Sequence, residues 1–165
     1  MYKVSIITIS DKGYLGERED LSGKLIQDIM IKREYEIDDY IIVPDDKEKI
    51  SEELIKMTDI NKVNLILTNG GTGFSKRDVT PEATMNVIHR LAPGIVEAIR
   101  MNSISITKRA MLSRAVSGIR FNTLIINLPG SPKAVKESLL FIIDELKHGL
   151  DILCGNASEC AKETR

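Results

Sequence analysis

The chain has 165 residues, 42% hydrophobic and 28% charged, with 23 basic residues against 24 acidic and a net charge of −1. That length suits a single domain, 1–165, with a substantial core. The charge balance argues against a dedicated nucleic-acid binder, which carries a marked basic excess, and no run of about 18 uncharged apolar residues is present to cross a membrane.

Residues 3–9, K-V-S-I-I-T-I, are β-branched and apolar, as a strand buried on both faces should be. The N-terminal run has no basic start and no cleavage-like end. It reads as this first strand rather than a signal peptide, and the cytoplasm is the expected location. Ser22 is placed to cap a following helix whose apolar face is Leu25, Ile26, Ile29 and Met30. Residues 36–43, E-I-D-D-Y-I-I-V, read as a second strand ended by Pro44, and Asp45 or Asp46 can cap the next helix, which carries Ile50, Leu54 and Met57. Residues 63–68 form a third strand that runs into glycines. Thr80 is the expected N-cap of a further helix, with Pro81 at its first position, where a missing N–H costs nothing.

Residues 94–106 show a weaker helical pattern. Residues 123–128, T-L-I-I-N-L, read as a fourth core strand, broken by Pro129-Gly130. A helix from about Ser131 to Lys147 follows, with Val135, Leu139, Ile142, Ile143 and Leu146 apolar. This alternation predicts an α/β fold, a three-layer αβα domain with a mostly parallel sheet covered on both faces. The polar tail from about 155 is expected to be loose. Cys154 and Cys160 read as ordinary reduced thiols, because no matching Cys or His pair stands nearby. His89 and His148 read as surface residues.

In sheets of this kind ligands bind beyond the carboxyl ends of the strands. The loops that follow the four strands are S-D-K-G-Y-L-G-E-R-E-D-L-S-G, P-D-D, N-G-G-T-G-F-S-K-R-D and P-G-S-P. The third is not a Walker A loop, because no glycine stands in the required place before Lys-Ser or Lys-Thr. It is not a dinucleotide fingerprint either: counted from Gly71, the last glycine position is Lys76. Its physical character still suits an anion. Consecutive glycines let backbone N–H groups approach closely, the helix start at Thr80-Pro81 contributes its positive dipole end, and Lys76 and Arg77 add charge. Asp78 would repel a bare phosphate and makes sense if a divalent cation bridges it to phosphate oxygens. Asp45 or Asp46 offers a second carboxylate. No serine or cysteine has a nucleophile's surroundings, which points to direct phosphoryl or nucleotidyl transfer.

The run from Gly70 to Thr84, G-G-T-G-F-S-K-R-D-V-T-P-E-A-T, resembles the signature G-G-T-G-x-x-x-R-D-x-T-P-E-A of the molybdopterin adenylyltransferases, the group of MogA, MoaB and the G domains of Cnx and gephyrin. Four further stretches resemble other parts of that family's pattern: Ser10–Gly23, V-P-D-D at 43–46, M-L-S-R-A-V-S-G-I-R at 111–120, and L-I-I-N-L-P-G-S-P-K at 124–133. The resemblance spans nearly the whole chain in order; the one departure is Asp46, where the family has Glu.

It implies the MogA/MoaB-like fold and a homotrimer. It also implies Mg²⁺-dependent transfer of AMP from ATP to the terminal phosphate of molybdopterin, and a downstream molybdenum-insertion protein as partner. Asp45 and Asp78 match the family's two critical aspartates, in catalytic and metal-holding roles. Asp11, Asp20, Ser22, Gly70, Gly71, Thr72, Gly73, Arg77, Thr80, Pro81, Glu82, Ser113, Gly130, Ser131 and Pro132 match its nucleotide- and substrate-binding motifs. Lys76, Arg77 or Arg114 is expected to stabilise the departing pyrophosphate. The alternative is a non-catalytic molybdopterin-binding or scaffold paralogue.

Overall fold

A computed structural model describes residues 1–156; Cys160 and the polar tail lie outside the described residues. Six strands form one sheet in the order β2-β1-β3-β6-β5-β4. Four of them, β1 (Lys3–Ile9), β2 (Glu36–Val43), β3 (Leu65–Asn69) and β6 (Thr123–Leu128), run parallel. Every residue of β3 and β6 is buried, and so are all but the first of β1. Strands sandwiched between helices have no solvated face, so their sequences are continuously apolar. Two short strands missed by sequence reasoning, β4 (Arg90–Leu91) and β5 (Ser117–Arg120), complete an antiparallel edge. The exposed pair Arg90–Leu91 has no burial pattern to read.

Helices α2 (Leu21–Lys32), α5 (Pro93–Ile106) and α6 (Pro132–Leu153) cover one face, and α3 (Lys47–Ile55) and α4 (Thr80–Val87) the other. Leu67 and Ile126 look toward the first layer, and Ile66 and Ile125 toward the second, as period-two alternation requires. A short helix, α1 (Asp11–Tyr14), sits in the loop after β1. The third strand starts two residues later than 63, although Val63 is buried, and α6 runs six residues past Lys147, held by the buried Leu150.

Two expected caps differ. Asp20, not Ser22, caps α2, its Oδ1 accepting from Gly23 N at 2.9 Å. Ser22 lies inside the first turn, and its Oγ donates to the Gly130 carbonyl at 2.8 Å. Thr80 is the first helical residue of α4 rather than its cap, with Pro81 second. Its hydroxyl donates to the Gly70 carbonyl at 2.9 Å, a more constrained demand than capping. Of the two aspartates after β2, Asp46 caps α3 through Lys49 N, and Asp45 takes no part in the cap.

The chain leaves β1 for β2 on one side and returns to place β3 on the other. Their helical connections, α2 and α3, lie on opposite faces. The carboxyl ends of β1 and β3 therefore diverge into a crevice, the usual ligand position in such sheets.

Candidate functional site

That crevice is a cleft of about 540 Å³. Its floor is the end of β1 (Thr8 to Ser10) and of β3 (Asn69 to Gly71); Asp45 and Asp78 stand on one side, and the first turns of α2 and α6 on the other.

Glycines are required at the end of β3. Gly70 has φ of +94° and Gly71 of +64°, and a Cβ would strike the Ile9 carbonyl oxygen at the first and Thr80 Oγ1 at the second. All four carbonyls of the loop are tied back. Thr80 Oγ1 donates to Gly70 O and Thr80 N to Gly71 O; Arg114 N donates to Thr72 O at 2.9 Å and Arg114 Nε to Gly73 O at 2.7 Å. Gly70 N is itself bonded to Leu128 O, but the N–H groups of Gly71, Thr72 and Gly73 have no partner among the described residues. A loop with its acceptors engaged and its donors unpaired presents positive potential, which suits an anion.

Asp45 and Asp11 exchange reciprocal bonds: Asp11 N donates to Asp45 Oδ2 at 2.9 Å, and Asp45 N to Asp11 Oδ1 at 3.0 Å. Arg77 forks onto the Asp11 carboxylate at 2.7 and 2.9 Å, holding its pKa below the usual carboxylate range. Burial pushes the Asp45 carboxyl up, and the charges of Asp11 and Asp78 add to that, outweighing the Asp11 amide. Asp78 Oδ2 accepts from Ser75 N at 3.0 Å.

Asp45, whose ionisation is disfavoured by burial and by its acidic neighbours, and Asp78 beside it offer hard oxygens that a divalent cation would suit. Among the described residues no three His, Cys, Asp or Glu side chains gather into a complete metal cage.

On the opposite wall, Asp20 is engaged twice, by Gly23 N and by Tyr40 OH at 2.6 Å. Burial first, then the Asp20 bond, pushes the Tyr40 phenol pKa up, so the tyrosine stays a donor. The cap leaves the N–H groups of Leu21 and Ser22, both on the cleft wall, without helical partners. The N-terminus of the 22-residue α6 enters beside them, with Ser131 as its cap.

The family described as "Probable molybdopterin binding domain" matches residues 5–148. The chain belongs to that family. It is 41% identical over 157 residues to the molybdopterin adenylyltransferase of Helicobacter pylori strain J99, covering 93% of this chain and 88% of the relative. To the molybdopterin adenylyltransferase of Escherichia coli K12 it is 36% identical over 140 residues, covering 83% and 71%. The crystal structure of the molybdopterin biosynthesis enzyme MoaB from Thermus thermophilus superposes with a TM-score of 0.89 at 43% identity, covering 94% of this chain and 98% of that one. The tungsten cofactor synthesizing protein MoaB from Pyrococcus furiosus gives 0.81 at 37% identity, covering 92% and 96%. The chain is thus a homologue of nucleotidyltransferases of molybdenum cofactor biosynthesis, on the three-layer fold of MogA and MoaB.

The family's motifs divide between four places. Asp20, Ser22, Asp45, Gly70, Gly71 and Asp78 line the cleft, with Gly130, Ser131 and Pro132 at its α6 end. Asp11 and Arg77 form its partly exposed rim. Thr72, Gly73 and Ser113 instead line an apolar cavity of about 300 Å³ behind the loop. Thr80 and Pro81 are buried beneath the loop, and Glu82 is paired with Arg114. Arg114, expected among the groups meeting pyrophosphate, turns its guanidinium onto protein carbonyls and Glu82 instead; Lys76 is exposed. His89 and His148 are exposed, as read from their charged neighbours. Sequence reasoning missed Tyr40, Thr8 and Asn69, which look like ordinary strand residues. Thr8 Oγ1 accepts from Asn69 Nδ2 at 2.8 Å, and only strand pairing brings them together. Arg18, on the cleft wall, could have been taken from the first loop, whose basic residue stands beside Glu19 and Asp20.

Proposed function

We propose that the chain is a molybdopterin adenylyltransferase, transferring AMP from Mg-ATP to the terminal phosphate of molybdopterin with release of pyrophosphate, in the cytoplasm and as a homotrimer. One observation carries this reading: Asp45 and Asp78 face one cleft with the start of a glycine loop whose carbonyls are all tied back and whose Gly71 amide, on the cleft, is unpaired among the described residues. The adenylyltransferase names of relatives at 36–41% identity support it.

In this reading Asp45 and Asp78 hold Mg²⁺, whose contribution when bound is to neutralise charge on the triphosphate. The unpaired amide of Gly71, on the cleft floor, receives a phosphate oxygen. Across the cleft, the free amides of Leu21 and Ser22 and the start of α6 receive the terminal phosphate of the pterin, aligning it for in-line attack on the α-phosphorus. Tyr40 and the α2 amide mask the charge of Asp20, so it does not repel that phosphate. Arg77 neutralises Asp11 at the rim. A molybdenum-insertion protein is the downstream partner this reading entails.

The test is incubation of the purified protein with molybdopterin and Mg-ATP, followed by detection of the adenylated pterin. Asp78→Asn and Asp45→Asn are each expected to lower kcat by about 100-fold or more. Near-normal turnover in either variant would remove that residue from its role. Binding of molybdopterin without turnover in the wild type would mark a non-catalytic paralogue.

A further inference from the structure

We propose that Arg114 is a positioning residue for the cation site: with Glu82 as its counter-ion, it staples the neck of the loop that carries Asp78. Residues 74–77 form an exposed excursion between Gly73 and Asp78. Arg114 closes that excursion at its base. Nε donates to Gly73 O at 2.7 Å and Nη2 to Asp78 O at 2.6 Å, and Nη1 pairs with Glu82 Oε1 in the first turn of α4. Its own backbone N–H donates to Thr72 O. One residue thus grips positions 72, 73, 78 and 82.

A second arginine fixes the first. Arg100 on α5 donates from Nε to Ser113 O and from Nη2 to Ala115 O, both at 3.1 Å, holding the main chain on either side of Arg114. The consequence is electrostatic as well as geometric. By engaging the Thr72 and Gly73 carbonyls, Arg114 neutralises the acceptors of the segment that joins the cleft glycines to Asp78. It also sets the backbone from which the Asp78 carboxylate reaches the cleft. A planar fork with donors in fixed directions can bridge two carbonyls and a carboxylate at once; a lysine ammonium cannot hold that geometry. Glu82, read from sequence as a ligand-binding residue, takes the place of the clamp's anchor.

This inference rests on the reading that Asp78 holds a divalent cation, and the experiment separates the two. Mn²⁺ binding in the presence of ATP is measured by electron paramagnetic resonance for the wild-type chain, Arg114→Lys and Glu82→Gln. The Mg²⁺ dependence of molybdopterin adenylation and the KM for molybdopterin are measured alongside. Arg114→Lys is expected to weaken cation binding about tenfold, the usual effect of losing a group that orients a metal ligand, with KM for molybdopterin within about twofold of wild type. Guanidinium ion, but not ammonium, should partly restore Arg114→Ala. A folded Arg114→Lys protein that binds Mn²⁺ as the wild type does would overturn the clamp, as would a lowered melting temperature with unchanged cation affinity. A wild-type chain that binds no Mn²⁺ with ATP would also overturn it. Wild-type binding without adenylation would instead remove the proposed reaction and leave the clamp to be judged on the Mn²⁺ measurements.

Discussion

Gly71 shows how much a single position can decide. Its φ of +64° lies in the left-handed region, which costs an L-residue about 1–2 kcal/mol, and a Cβ would also meet Thr80 Oγ1, which is bonded to Gly70 O. Gly71→Ala is expected to destabilise the chain by at least that amount in urea titration and to abolish nucleotide binding measured by calorimetry. The ion pair of Asp59 and Arg120 lies outside the cleft. Its two bonds, at 2.6 and 2.8 Å, hold the Asp59 pKa at about 2 against an ordinary 3.8. A lowered folded-state pKa stabilises above the unfolded value and is lost as pH falls through the folded one. Asp59→Asn should therefore lower stability by about 1–2 kcal/mol at pH 7. The gap from wild type should narrow between pH 4 and pH 2, as thermal melts across that range would show.

Among the elements, α2 depends most on its first turn. Asp20 both caps the helix and receives Tyr40 OH. Asp20→Ala removes a cap worth about 1 kcal/mol and leaves a half-buried phenol unpaired, at a further cost of about 1–3 kcal/mol. Asp20→Asn keeps the capping oxygen and should lose much less; chemical denaturation of both variants distinguishes the two contributions. Three of the four parallel strands, β1, β3 and β6, were legible because burial on both faces makes them largely apolar; the edge strand β2 was legible from its Y-I-I-V end before Pro44. The cap at Asp20 and the role of Thr80 were not. Several polar residues at each start could serve, and Thr80 was taken up by Gly70, ten residues earlier. Asp78 stood out in sequence as a carboxylate within a basic, glycine-rich run. The side-chain partners of Arg114 did not, since they lie 32 to 41 positions away.

For the molecule as a whole, the proposed homotrimer would need apolar surface to bury. Met101, Ile106 and Met111, on α5 and the turn after it, are between half and three-quarters exposed and would be available for it. Light scattering after size exclusion should give about three times the chain mass of 18.4 kDa; a monomer mass would end that part of the proposal.

Period and composition sufficed for the alternation of strands and helices, and the order of motifs for the family, because apolar runs and glycine spacings are local properties of a chain. The division of those motifs into cleft, rim and buried support came only with the tertiary structure. The β1–β3 switch point sets which loops meet, and a side chain's role there depends on partners supplied by distant strands. Arg114 makes the difference concrete: by sequence it is one cation among several near an anion site, and in the fold its donors all point at carbonyls and a carboxylate of the protein itself.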